Sequence, residues 1–242
     1  MSDQYERLNL IIGNEQLNII KSKKILIFGV GGVGGNVCDA LARSGIMHFG
    51  LVDNDAVNIT NINRQLIANT NTIGKKKIDV MEEHLKSLNP DIEIKKYDLF
   101  YLPDNNDIDF SEYDYVIDAI DTVSAKISIV MECQKLNIPV ISALGCGNKF
   151  NPLDLCVDDI FNTNTDPLAR VLRYELRKRG IKKLKVVYSK ELPKKLQQQI
   201  INENGKLTPG STAFVPPVCG IIIASEVFKD LLKSWIFQLF YF

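Results

Sequence analysis

Three clusters of residues in this sequence have the types and spacing to do chemistry. The first is Gly29-Val30-Gly31-Gly32-Val33-Gly34, a G-x-G-x-x-G run. Glycines in such a run let the backbone turn tightly and approach a phosphate, and the helix start that follows offers free N–H groups and a positive dipole end. Alone, the run admits NAD, FAD or ATP, or only a tight turn. Asp53 lies nineteen residues after Gly34. A carboxylate at that place accepts hydrogen bonds from ribose hydroxyls; a solvated turn shared with Asp55 is the plainer reading.

The second cluster separates these nucleotides. It is Asn61-Ile62-Asn63-Arg64-Gln65, then Gly74-Lys75-Lys76-Lys77, with Arg64 and Lys77 thirteen positions apart. A dehydrogenase has no need of cations there. A nucleotidyl transferase does, because charge builds on the phosphates as pyrophosphate leaves. Arg grips a phosphate with two N–H groups and Lys acts as a point charge. Three lysines in a row also fit a solvated helix start. The third cluster, Asp118-Ala119-Ile120-Asp121-Thr122, places two carboxylates where an apolar segment ends. Asp121, just past it, is the candidate Mg²⁺ ligand. Asp118 can instead orient the neighbouring loop, and Asp121 can cap the next helix.

The elements that must hold these clusters follow from hydrophobic periodicity. Strands are expected at 24–28, 49–52, 92–97, 115–120, 139–143 and 184–188. Helices are expected at 5–21, 36–44, 75–88, 124–136, 166–179 and 215–232. Residues 54–72 and 190–211, rich in Asn, Thr, Gly or Pro, read as loops. Strands alternating with helices give an α/β chain with a Rossmann-type, doubly wound, mostly parallel sheet and a C-terminal extension. The 242 residues form one domain, with residues 1–150 as the nucleotide-binding part and 151–242 as the helical, substrate-facing part.

Composition narrows the classes. Lys+Arg and Asp+Glu balance at 29 each, so overall charge points to no partner. Five scattered cysteines (Cys38, Cys133, Cys146, Cys156, Cys219) form no C-x-x-C pair, which excludes a zinc ribbon and suits reduced thiols in a cytoplasmic protein. The polar N-terminus carries no signal peptide, and no apolar run reaches membrane-spanning length. The apolar WIFQLFYF at 235–242 reads as a packing tail or a dimer contact. His48 and His84 show no partner pattern and read as structural. Between Arg170 and Lys195 eleven Lys/Arg stand against two acids, Glu175 and Glu191. Such an excess is costly by self-repulsion unless something anionic visits.

Taken together, G-V-G-G-V-G, Asp53, N-x-N-R-Q, G-x-x-K and D-A-I-D resemble the ubiquitin-activating-like adenylating superfamily from about Arg7 to Ala143. Asp166-Pro167-Leu168-Ala169-Arg170-Val171-Leu172-Arg173, Glu175 to Ile181 and Gly210 to Pro216 resemble, more narrowly, the tRNA threonylcarbamoyladenosine dehydratases. The resemblance implies an ATP-dependent, ligase-type enzyme. ATP and Mg²⁺ would be held by Gly29, Gly31, Gly32, Gly34, Asp53, Asp55, Asn61, Asn63, Arg64, Gln65, Lys77 and Asp121. Arg64, Lys77 and Asp121 would serve catalysis. Arg7 would reach the partner's phosphates in a homodimer, and tRNA would dock on 170–195. A monovalent cation occurs in relatives, though no site for one is visible. The implied reaction adenylates the threonine carboxylate beside the anticodon; the neighbouring carbamoyl oxygen then closes a ring, and proximity replaces a protein nucleophile. The alternative is an adenylyltransferase for a ubiquitin-like sulfur carrier, whose members usually carry the two C-x-x-C pairs missing here.

Overall fold

The computed structural model of the chain describes residues 3–104, 107–201, 205 and 207–239. Strands β1 (Lys24–Phe28), β2 (His48–Val52), β3 (Glu93–Tyr97), β4 (Tyr115–Asp118), β5 (Val140–Ala143), β6 (Leu155–Asp159) and β7 (Lys185–Ser189) form one sheet in the order β3-β2-β1-β4-β5-β7-β6. All pairs are parallel except β6 with β7. Helices α1 (Glu6–Lys21), α2 (Gly34–Arg43), α3 (Lys77–Leu88), α4 (Val123–Leu136), α5 (Pro167–Lys178) and α6 (Val215–Leu239) cover it.

Strand β1 is central, and its last four residues are buried, as a strand covered on both faces requires. Ile25 and Ile27 join the cluster that holds Ile20 of α1, Leu41 of α2, Met81 of α3 and Ile223 of α6. Leu26 and Phe28 point to the other face, where they pack with Ala125 and Ile129 of α4. Each fully buried Ile or Leu stabilises the fold by about 1.5–3 kcal/mol. At the edge, β3 exposes Glu93, Lys95 and Lys96, charges that discourage pairing with another sheet.

The chain order reverses between β1 and β4, which lie side by side. Ligands bind outside the carboxyl ends of the strands at such a switch point. The glycine run leaves β1 there, and Ala119 to Thr122 leave β4 there.

Four expectations are corrected. Helix α1 is interrupted at Gly13, whose φ of 79° lies in the left-handed region. Strand β6 has no counterpart among the expected strands; it is a half-buried antiparallel edge strand without a full apolar stripe. Asp118 is inside the core rather than at the rim. It is 0% exposed and meets Lys126 Nζ at 2.9 Å, and it accepts Ser142 Oγ at 2.7 Å. Lys126 Nζ also donates to the Ala143 carbonyl at 2.7 Å. These contacts tie β4, β5 and α4 together behind the switch point, with each charge compensated, as burial demands. The two histidines have acidic partners after all: His48 faces Glu93 at 3.0 Å and His84 faces Asp39 at 2.8 Å, both near the surface. Backbone is described through α6, but side chains from 233 on lie outside the described residues, so the expectation that the apolar 235–242 is a packing tail or dimer contact falls outside them.

Candidate active site

A cavity of about 350 Å³ opens at the switch point. Gly29, Gly31, Asp53, Asp55, Asn61, Arg64, Gln65, Lys77 and Asp121 line it. Nine of the expected site residues, from five separate stretches of chain, therefore share one volume. Phe28, Val52, Leu99, Phe100 and Tyr101 add an apolar wall that the sequence reading missed. Alternating strand residues account for Phe28 and Val52, but nothing local marks 99–101, which follow an edge strand.

The turn between β1 and α2 is tight. Gly29 has φ 87°, and a Cβ there would meet the Ala119 carbonyl oxygen at 2.8 Å. A Cβ at Gly34 would stand 1.8 Å from the Gly29 carbonyl oxygen, so Gly34 serves the turn and not the cavity. Gly32 packs under Pro216 and Arg64, and Asn63 donates to the Ser211 carbonyl at 3.1 Å. These three expected ligand contacts therefore belong to the frame around the cavity. Arg7, expected from a dimeric arrangement, is exposed on α1 and lines none of this volume within its own chain. No side chain caps the start of α2; the Gly35 and Asn36 N–H groups donate to the Gly31 and Val33 carbonyls, and the positive end of the helix dipole remains to favour an anion.

Asp53 positions the turn. Its Oδ2 accepts from Val30 N–H at 2.7 Å and its Oδ1 from Asp55 N–H at 2.9 Å. Burial pushes its carboxyl upward, while Lys77 and the two N–H donors pull the other way. Lys77 is 6% exposed, with Nζ 2.6 Å from Asp55 Oδ2. Arg64 is half buried and donates to the Thr60 carbonyl and to Asn63 Oδ1, both at 2.9 Å, and desolvation lowers its pKa. Two cations thus face one cavity wall, opposed there by Asp53 and Asp55. An anion with several charges would find two positive groups and a helix start. Asp121 is exposed at the cavity mouth, free to approach a cation. Among the described residues no cluster of three or more His, Cys, Asp or Glu could hold a metal. A Mg²⁺ carried on phosphates asks for only one or two carboxylates, so Asp121 fits that use.

A second cavity of about 380 Å³ adjoins the first through Ala119, Ile120 and Asp121. Cys146, Lys149 and Asp166 are among its lining residues, and the sequence reading assigned none of them a role there. The Asp166-Pro167 pair reads in sequence as a helix start; that its carboxylate also faces a cavity is visible only in the fold. The Cys219 thiol beside Cys146 holds the Cys146 thiol below the usual range, whereas burial raises those of Cys38 and Cys133. Cys146 is also the cysteine that lines this cavity, so it is the thiol to test. If the ring closes through the substrate's own oxygen, as the resemblance implies, Cys146→Ser should keep turnover within about threefold, because effective molarity would replace a protein nucleophile. Steady-state assays of the five Cys→Ser variants check this; a folded but inactive variant would establish a covalent step.

The model of the ThiF family matches residues 2–236. The chain belongs to the ThiF family. It is 42% identical, over 97% of its own length and 96% of the relative's, to the tRNA threonylcarbamoyladenosine dehydratase of Bacillus subtilis. It superposes on the Escherichia coli tRNA N6-threonylcarbamoyladenosine dehydratase in complex with AMP, with a TM-score of 0.86 and 31% identity, covering 96% of this chain and 97% of that one. The same protein in complex with ATP gives a TM-score of 0.84 at 30% identity, with 97% and 96% covered. The adenylyltransferase and sulfurtransferase of Candida glabrata is more distant, at 32% over 62% of this chain and 36% of its own. The sulfur-carrier reading is thereby disfavoured, in line with the missing C-x-x-C pairs. Among the described residues no helix is long and apolar enough to cross a membrane.

Proposed function

We propose that this ThiF-family protein is an ATP-dependent tRNA threonylcarbamoyladenosine dehydratase. The observation that carries the reading is the convergence of Arg64, Lys77 and Asp121 on one cavity beside the uncapped start of α2, joined to a second cavity that can take an acceptor. The names of its relatives and the AMP- and ATP-bound Escherichia coli structures support it.

In this reading the adenine lies against Phe28, Leu99 and Tyr101 and the ribose hydroxyls reach Asp53. The triphosphate meets the glycine turn, Arg64 and Lys77, with Asn61 and Gln65 beside it. Asp121 would hold a Mg²⁺ carried on the phosphates, which would supply neutralisation of the charge that develops there. The protein's own residues orient the α-phosphate, and the threonine carboxylate attacks it; pyrophosphate leaves and an acyl-adenylate results. The carbamoyl oxygen then attacks the acyl carbon and AMP departs. Catalysis is positioning and electrostatics. One adenylating unit spans the chain, works in the cytoplasm, and pairs with a second copy whose Arg7 reaches across. The deciding experiment is nucleoside mass spectrometry of threonylcarbamoylated tRNA incubated with protein and ATP, alongside calorimetric titration with ATP and NAD. No cyclic nucleoside, or NAD binding without ATP binding, refutes the assignment.

For tRNA docking, the basic segment 170–195 resolves into parts. Lys185 is taken by Glu226 and Asp230 of α6 at 3.2 and 2.7 Å, Arg179 by Glu175, and Lys194 by Glu191. Arg173, within the same segment, is half buried and donates to Thr163 Oγ1. Arg170, Arg177 and Lys178 remain on one exposed face of α5, together with Tyr174, and Lys182 and Lys183 lie just beyond. Charge reversal at Arg170, Arg177 and Lys178 is expected to weaken tRNA binding and flatten its salt dependence by roughly 0.7–0.9 in log–log slope for each phosphate no longer neutralised, with ATP affinity unchanged. Filter binding across a salt series reads both; parental affinity and slope would move the docking surface elsewhere.

A further inference from the structure

The second cavity holds a buried charge pair that is under-satisfied. Lys149 and Asp166 are each 3% exposed, and their closest atoms, Nζ and Oδ2, are 3.6 Å apart, beyond a hydrogen bond. Asp166 Oδ1 is fully used, accepting from Leu168 N–H at 2.7 Å and Ala169 N–H at 3.1 Å as the N-cap of α5. Among the described residues Asp166 Oδ2 accepts no hydrogen bond. Lys149 Nζ, with three donors, makes one weak bond, to the Ser189 carbonyl at 3.3 Å. Buried polar atoms are nearly always partnered, and a buried exception asks for a reason.

The surroundings supply one. Gly145 lies against the unused oxygen: a Cβ there would stand 2.9 Å from Asp166 Oδ2. The oxygen is buried against the Gly145 backbone with no hydrogen-bond partner among the described residues, and Gly145 and Asp166 both line the same cavity. The cavity shares Asp121 with the nucleotide cavity, so an acceptor lodged in it stands next to the phosphates. A ligand that satisfies both charges must donate N–H to a carboxylate and present oxygens to an ammonium. A carbamoylated amino acid does so, with urea N–H groups on one side and carbonyl and carboxylate oxygens on the other.

We propose that Asp166 Oδ2 receives a urea N–H of the acceptor and takes its proton at ring closure, while Lys149 holds the acceptor's oxygens. The inference rests on the function proposed above and adds its missing proton acceptor. As the carbamoyl oxygen attacks the acyl carbon, a C–O ring bond forms. The acyl–phosphate C–O bond breaks and its electron pair leaves with AMP. The N–H proton that the closed ring must lose passes to Asp166, and from there to water once product departs. No oxidant or further co-reactant is needed.

The test uses an anticodon stem–loop RNA carrying the threonylcarbamoyl group, with pyrophosphate and cyclic nucleoside measured in the same reaction. Asp166→Asn keeps an N-cap acceptor, and Gly145→Ala leaves Asp166 intact but covers its free oxygen. Both are expected to keep the parent's ATP affinity and single-turnover pyrophosphate release at a temperature below their own melts. Asp166→Asn, which leaves the buried Lys149 without its anion, is expected to melt lower than the parent, and Gly145→Ala, which keeps the pair, is the variant that separates the two effects. Cyclic product is expected to form about 10²-fold or more slowly, the size of a lost general base, and the acid limb of the parent's pH profile should vanish in Asp166→Asn. Cyclic product at the parental rate in both variants overturns the inference. So does an equal fall of pyrophosphate and product, which would mark a structural or adenylation role. A parent that itself makes no cyclic product overturns the functional reading and this inference with it.

Discussion

Lys77→Met is expected to lower kcat by about 10²–10³-fold, the usual effect of removing one preorganised charge from a transition state that accumulates negative charge. Methionine keeps most of the apolar stem, and that stem is what the 6%-exposed side chain buries. The melting temperature should therefore stay within a few degrees. The ammonium faces two acids as well as the cavity: Asp55 Oδ2 at 2.6 Å, and Asp53, whose carboxyl it pulls down. Without it, burial is less opposed and the Asp53 carboxyl rises further. The sign follows from linkage: a carboxyl raised by folding costs stability above its unfolded pKa, so the variant should lose stability as pH rises through the acidic range relative to the parent. Arg64→Lys provides the companion. It keeps a positive charge but loses the planar fork, so a loss at Arg64→Lys as large as at Arg64→Ala points to bidentate contact. Rapid-quench turnover with saturating ATP measures both; Lys77→Met turnover within about threefold of the parent would remove Lys77 from the phosphate site.

The nucleotide half of this arrangement was legible because its signals are local. A glycine run, an acid nineteen residues on, and Arg64 thirteen positions before Lys77 can each be seen in a short window. Parallel strands, each returned by a helix, then force those windows to the same sheet end. Among them, the glycines divided in a way that sequence does not reveal. Gly29 and Gly31 face the cavity, but Gly34 exists for a backbone approach and Gly32 for packing against α6. The acceptor half was not legible. Its lining comes from residues 143–149, 166–168, 193 and 209, which meet only because β5 pairs with β7 and the loop after it folds back. Lys149 carries no motif, and β6 lacks an apolar period. The basic segment misled in the opposite way, since a run of charge in sequence ignores which acids the fold brings over. Glu226 and Asp230 are forty-one and forty-five residues from Lys185, yet they neutralise it.

Asp121→Ala should separate chemistry from folding more cleanly than any other single change here. Asp118, three positions earlier, shows what a structural aspartate at this strand end looks like: fully buried, bonded to Lys126 and Ser142. Asp121 is the opposite, exposed and placed where the two cavities meet. Helix α4 begins after it at Val123 with no side-chain cap, so the capping alternative finds no bond to lose. Surface substitutions away from such features change stability by about 0.5 kcal/mol or less, and the melting temperature should hardly move. Turnover is a different matter. A carboxylate that holds Mg²⁺ against a triphosphate acts on the charge that develops as pyrophosphate leaves, an effect worth several kcal/mol, so a fall of about 10³-fold or more is expected, since each 1.4 kcal/mol is tenfold. Asp118→Asn should do the reverse, costing stability by leaving Lys126 uncompensated in the core, by about 3–5 kcal/mol. Thermal melts and Mg²⁺-dependent turnover on the two variants give a crossed pattern. If Asp121→Ala turns over at the parental rate, with the same Mg²⁺ dependence, the cation is held elsewhere and the meeting point of the two cavities is not where phosphate and acceptor react.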